Sequence, residues 1–297
     1  MIQKLMKKGG IDDGKPRLFV LCAIVILVLA IACGVGGCRH ESGETKAVDA
    51  TPESTPRPAP KIPLASSQND LLKIAVEAKG SESKICYLTF DDGPTNTITP
   101  AILDVLKQYG VKATFFMLGS MIEKNPDMAK RVFDEGHLLA NHTYSHDYHA
   151  LYATGESFMA EVKKVEELIR KVTGEEPFKL VRFPGGGHNA GKYGEHKQRY
   201  KMLLQENGYY FADWNALNGD AEGGNRSADQ LLARMQETAT QKNIVVLMHD
   251  AAAKRTTADA LPAIIEYLRG QGYEFRRMDE IPYYPEVEET VETSMEL

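Results

Sequence analysis

In Thr89-Phe90-Asp91-Asp92-Gly93-Pro94, two adjacent carboxylates end an apolar run, Ile85-Cys86-Tyr87-Leu88, and a Gly-Pro pair stops it. Short apolar runs bounded by turn residues read as buried strands. Both Asp therefore sit at the C-terminal mouth of a strand, where α/β folds place their chemistry. Neighbouring residues on an extended chain point opposite ways, so the two carboxylates can take different tasks.

From Leu71 onward the pattern alternates between strand and helix. Strands are expected at 85–90, 113–118, 137–140, 180–183, 209–213, 244–248 and 273–276. Thr99 is a candidate cap for a helix over 101–109, with Pro100 at its first position and Gly110 as its stop. Further helices are expected over 127–135, 155–172, 198–206, 228–240 and 258–269. This alternation implies a mostly parallel sheet with right-handed crossovers. About seven such units, with no dinucleotide-type glycine fingerprint, predict an α/β fold of the distorted (β/α) barrel kind rather than an open sheet.

Polar residues of chemical interest gather where these strands end. Asp91 and Asp92 follow the first, and His142 and His146 follow the third. Arg182 closes the fourth beside Gly185-Gly186-Gly187, Asp213 closes the fifth before Trp214, and His249 with Asp250 ends 244–248. In a parallel barrel these ends meet at one face. His at i and i+4 share one face of a helical turn and suit a single metal ion. Alone, such a pair is more often two unrelated histidines. A carboxylate beside it makes a three-ligand site with room for water, as in catalytic zinc centres. A second Asp can then accept the water's proton. His249 can donate one, and Asp213 could hold it protonated or be an ordinary turn residue. Arg182 could keep Asp91 ionised or form an exposed ion pair worth little. The glycine run could offer backbone N–H groups to an oxyanion or be a plain turn. His137, His149, His188 and His196 lack such company and receive no role.

Taken together, the chain resembles the polysaccharide deacetylases with a NodB homology domain, carbohydrate esterase family 4. The resemblance spans roughly residues 71–282. It rests on Thr89-Phe90-Asp91-Asp92-Gly93, His142-Thr143-Tyr144-Ser145-His146, Arg182-Phe183-Pro184-Gly185, Asp213-Trp214 and Leu247-Met248-His249, in the family's order. It implies a NodB-like distorted barrel, a divalent metal (zinc, or another such as cobalt), and removal of N-acetyl groups from amino-sugar polymers, or O-acetyl groups in some members. Carried over by position, Asp91 is the general base and Asp92, His142 and His146 are the metal ligands. Arg182 orients Asp91, and Asp213 tunes His249, the general acid. Leu247, Trp214 and Gly185 fall on the substrate side, with Leu247 lining the acetyl-methyl pocket and Gly185 offering its backbone N–H. Many members carry an aromatic residue where this chain has Gly185. The missing ring puts substrate choice in question, and the polar loop 187–200 is the expected replacement for that wall. The expected substrate is an acetylated cell-wall amino-sugar polymer, peptidoglycan first. An O-acetyl esterase of the xylan type and a non-catalytic wall-binding protein are the alternatives.

The N-terminal part reads differently. Leu18–Cys38 is an uncharged apolar run of 21 residues, and about 20 such residues span a bilayer core. Lys4, Lys7, Lys8, Lys15 and Arg17 precede it against Asp12 and Asp13, which predicts a cytoplasmic 1–17 and an outward-facing remainder. Cleaved signal peptides have shorter apolar regions of about 7–15 residues, so an uncleaved single-pass anchor is expected. Val35-Gly36-Gly37-Cys38 loosely matches a lipoprotein processing site, which is the alternative. Residues 39–70, rich in Pro, Ser and Thr, read as a semi-rigid spacer, and 283–297 as an acidic, unfolded tail. The expected location is the cell membrane with the catalytic domain outside. Net charge −6 and a pI near 5.8 argue against nucleic acid as partner. Three of the four cysteines lie in the apolar run, so Cys86 alone remains, as a small buried hydrophobe. Oligomeric state leaves no trace in the sequence.

Overall fold

The computed structural model of the chain describes residues 69–78, 83–188 and 191–283. The expected anchor, nearly all of the spacer and the acidic tail lie outside the described residues. Among the described residues no helix is long and apolar enough to cross a membrane.

The elements run α1 (Leu71–Glu77), β1 (Lys84–Asp91), α2 (Thr99–Tyr109), β2 (Thr114–Met117), α3 (Gly119–Lys124), α4 (Pro126–Asp134), β3 (Leu138–Asn141), α5 (Tyr148–Leu151) and α6 (Gly155–Thr173). They continue with β4 (Leu180–Val181), α7 (Gly194–Glu206), β5 (Tyr210–Phe211), β6 (Ala216–Leu217), α8 (Ala228–Thr238), β7 (Asn243–His249), α9 (Arg255–Gly270), β8 (Tyr273–Phe275) and a closing 3₁₀ turn, Met278–Tyr283. Every strand expected from the apolar pattern is present. Short elements escaped it: α1, α3, α5 and the two-residue β6 carry too few positions to show a period.

All recorded pairings are parallel, in the order β5-β4-β3-β2-β1-β7-β6, with β8 against the first half of β1. The order runs out and does not return, so the sheet is a curled, open barrel. β1 is its centre. Cys86, Leu88 and Phe90 point outward into the core beneath α2 and α9, against Ile102, Leu106, Leu261 and Ile265. Ile85 and Tyr87 point inward with Phe116, Leu138, Tyr210 and Val245. The same parity carries Thr89 and Asp91 to the inner face. Asp91 is the register partner of His249 on β7, so base and acid candidates stand side by side on adjacent strands.

Helix ends follow local chemistry. Ser227 caps α8 in a reciprocal box with Gln230, and Thr154 caps α6 in the same way with Ser157. Gly110 and Gly174 close α2 and α6 in left-handed conformations. Thr99 does not cap α2 as expected; Ile98 holds the cap position. The Thr99 hydroxyl instead donates to Asp250 Oδ2 at 2.6 Å. That carboxylate lies directly against Gly93, where a Cβ would come within 2.0 Å of it. Gly93 is therefore required for close approach, and Asp250 ties the loop after β1 to the start of α2. Burial pushes the Asp250 carboxyl up to about 7.

Candidate active site

The inner end of β1 is built around a buried ion pair. Arg182, fully buried, donates from Nη1 to Asp91 Oδ1 at 2.8 Å and to Thr89 Oγ1 at 2.6 Å. Its remaining donors reach the carbonyls of Ala212 and Asp213. Phe116 lies under the guanidinium at 4.0 Å. The pairing expected between Arg182 and Asp91 is thus present, and it is buried rather than a surface ion pair. Removing either charge would strand the other in the interior. Burial pushes the Asp91 carboxyl up, against the pull of Arg182 and then His249. A carboxylate so balanced is fit to take a proton.

Asp92, His142 and His146 come together beside it, each offering a ligand atom within 4.8 Å of the others. Asp92 Oδ1 lies 3.6 Å from His142 Nε2 and 3.7 Å from His146 Nε2. That Oδ1 is buried and has no hydrogen-bond partner among the described residues, a costly state unless a cation completes it. Main-chain Arg182 O lies 2.9 Å from His142 Nδ1, so Nδ1–H donates there and the Nε2 lone pair faces the site. Burial lowers the His142 pKa to about 3, which keeps the ring neutral, as a metal ligand must be. The residues fit a divalent ion.

The two histidines do not share a helical face. Residues 142–146 form an irregular loop, and Thr143 and His146 have φ of +67° and +59°. Asp92 has φ of +77°. Two of the three ligand candidates thus hold a backbone region that non-glycine residues rarely adopt, a cost of order 1–3 kcal/mol each. The surroundings enforce it. Asn141 Oδ1 accepts from the Thr143 N–H, and Glu161 on α6 accepts from the Tyr144 and Ser145 N–H groups. The carbonyls of Thr143 and Tyr144 accept from the first two N–H groups of α3.

His249 does not meet Asp213. Its Nδ1 lies 2.7 Å from Asp220 Oδ1, while Asp220 Oδ2 accepts from the His249 N–H and the Thr257 hydroxyl. Burial would lower the His249 pKa, but the Asp220 hydrogen bond and charge, helped by Asp91 and Asp92, raise it. Asp220 was missed because it follows β6, a strand of two residues with no periodic signal; its one mark is the turn-forming Asn218-Gly219 before it. Asp213 has another task. Its Oδ1 accepts from the Gly187 N–H at 2.6 Å, and Lys197 Nζ donates to Gly186 O at 2.7 Å. Asp213 and Lys197 hold the glycine loop from both sides.

A cavity of about 270 Å³ joins these parts, lined among others by Asp91, Asp92, His146, Trp214, Leu247 and His249, with Gly185 at its edge. The missing ring at 185 is made good chiefly by Tyr148 of α5, whose hydroxyl would lie 2.6 Å from a Cβ at that position. The expected 187–200 loop is helical from Gly194 onward, the start of α7, and Tyr193 just before it lies 6.1 Å from Tyr148.

The buried Asp91–Arg182 pair and the Asp92, His142 and His146 cluster match the arrangement that the sequence motifs imply, while His249 pairs with Asp220 in place of Asp213. The sequence model of the polysaccharide deacetylase family matches residues 78–203. A Bacillus cereus protein named peptidoglycan-N-acetylglucosamine deacetylase is 33% identical over 275 residues, covering 89% of this chain and 93% of that one. The chain belongs to the polysaccharide deacetylase family. It is a hydrolase of that class.

Solved structures agree with the fold. The catalytic domain of peptidoglycan N-acetylglucosamine deacetylase from Eubacterium rectale superposes with a TM-score of 0.61 at 32% identity, over 67% of this chain and 90% of that one. A Streptococcus mutans CE4 esterase gives 0.61 at 32%, over 70% and 89%. The distorted barrel expected from the alternating pattern, in the NodB-like form that the resemblance implies, is therefore the fold of this deacetylase, with its sheet left open.

Proposed function

We propose that this polysaccharide deacetylase is a metal-dependent N-deacetylase of cell-wall glycan, acting on the amino sugars of peptidoglycan. The observation that carries the reading is the placement of Asp91 and His249 on adjacent strands, flanking Asp92, His142 and His146 at one cavity. A divalent ion held by those three, zinc first by its taste for two imidazoles and a carboxylate, supplies Lewis acidity toward the acetyl carbonyl and a water. Asp91, held by Arg182, takes the water's proton. His249, its pKa raised by Asp220, gives a proton to the leaving amine. Leu247 and Trp214 offer an apolar corner to the methyl group. The cavity is sized for an acetamido group and part of one sugar, so the polymer lies across its mouth.

The relatives named for peptidoglycan support the substrate. The reading is tested by acetate release from peptidoglycan fragments and chitooligosaccharides, before and after chelation and with zinc or cobalt restored. Release that stops with chelator and returns with zinc is expected. Faster release from acetylxylan than from chitooligosaccharides would make the chain an O-acetyl esterase. Binding to wall without release in either metal would make it a wall-binding protein.

The N-terminal reading belongs to the same proposal: 1–17 inside, 18–38 as an uncleaved anchor, 39–70 as a spacer and the 71–282 domain outside. Its support is the length and basic flank of the apolar run. Mass spectrometry of the membrane fraction should find the intact N-terminus, and a mature chain starting at lipidated Cys38 would refute it.

A further inference from the structure

The geometry points to Tyr148 as the specificity-determining residue of this site: its ring is the wall against which the sugar packs. The inference rests on the glycan-deacetylase reading above.

The loop facing that wall carries no side chain of its own. Gly185 and Gly186 have φ of +71° and +79°, and a side chain at 185 is excluded twice. The backbone disfavours it, and a Cβ would lie 2.6 Å from the Tyr148 hydroxyl and 3.2 Å from its Cε1. Tyr148 therefore occupies the space that a residue on this loop would fill. Its ring stands edge-on to His146, with centroids 5.3 Å apart and planes at 80°. The wall is thus one contact away from the reacting corner, in the same cavity as Trp214.

The ring is also held in place. Tyr152 packs beside it at 5.9 Å and Tyr193 at 6.1 Å. Tyr152 is itself buried, and its hydroxyl donates to Pro184 O at 3.0 Å. Asp147 caps the turn that carries Tyr148 by accepting from the His149 and Ala150 N–H groups. A half-buried tyrosine so braced offers a rigid apolar surface with a polar tip. That matches a sugar ring, which has apolar C–H faces and hydroxyl edges.

The test uses the full-length chain loaded with zinc and carrying Asp91→Asn, so that substrate is bound and not consumed. Chitopentaose binding is measured by calorimetry for this protein and for it with Tyr148→Phe or Tyr148→Leu, with zinc content followed alongside. The Phe variant should bind within about twofold of its parent, and the Leu variant about tenfold more weakly with zinc retained. In the Asp91-containing chain, Tyr148→Leu should raise KM for acetate release more than it lowers kcat. Equal binding by Leu and Phe variants would overturn the proposal, as would a parent that does not bind chitopentaose. A Leu variant that loses zinc while Phe keeps it would make Tyr148 a support for His146 instead, which also overturns it. Failure of the wider reading shows separately, as binding without acetate release by the Asp91-containing chain.

Discussion

Asp91→Asn should lower acetate release by about 10³-fold, the scale of a positioned general base, while zinc stays bound. The amide keeps the shape and an oxygen for Arg182 but cannot take a proton from water. It also removes the only carboxylate that pairs with Arg182 in the described residues, so the melting temperature should fall as well. Rates are therefore compared at 25 °C on protein shown to be folded. Asp92→Asn provides the contrast: it should lose zinc and activity together, because Asp92 Oδ1 has the two histidines as neighbours and no hydrogen-bond partner. If Asp91→Asn kept its rate, or lost its zinc, the division of labour between the two carboxylates would be wrong.

Asp220→Asn should cut acetate release most at alkaline pH and shift the alkaline limb of the kcat profile downward. The sign follows from the contacts. Asp220 raises the His249 pKa by a hydrogen bond and by charge, against burial. A neutral amide removes the charge, the His249 pKa falls, and its protonated fraction at pH 8 falls with it. An opposite charge at this range moves a pKa by roughly 1–3 units, so a shift of about one unit or more is expected. Activity at pH 6 should suffer less than activity at pH 8. Asp213→Asn is the informative partner experiment. It loosens Gly187, and it should leave the alkaline limb in place. A limb that moves with Asp213 and stays with Asp220 would restore the pairing expected from the sequence.

The candidate site residues were legible because each follows an apolar run, even where, as before Arg182, the strand itself is only two residues long. Asp91, Asp92, His142, Arg182 and His249 all follow apolar runs, and their order matched a family pattern. What failed was the support around them. Asp213-Trp214 matched a motif by identity, yet its carboxylate turned to the Gly187 N–H, and the partner of His249 followed a two-residue strand. The i, i+4 spacing of His142 and His146 pointed to one shared site, and their rings do meet beside Asp92, but not by way of a helical turn. A helical turn was expected, and two left-handed residues held by Asn141 and Glu161 were found. Tyr148 was invisible because its role depends on what Gly185 lacks. Spacing in sequence reports periodic structure; irregular loops are fixed by hydrogen bonds from distant elements, which spacing does not record.

One consequence follows from Asp91 and His249 being register partners. Their separation is a spacing of the sheet itself, about 4.8 Å between strands, fixed by the ladder of β1 and β7. No loop mutation can change it. The wall at Tyr148 and the glycine loop opposite belong to connections outside that ladder. On the proposed reading, preference for one polymer over another drifts by exchange of loop residues while the proposed proton-transfer pair stays locked, so substrate range and chemical competence are separately heritable in this barrel.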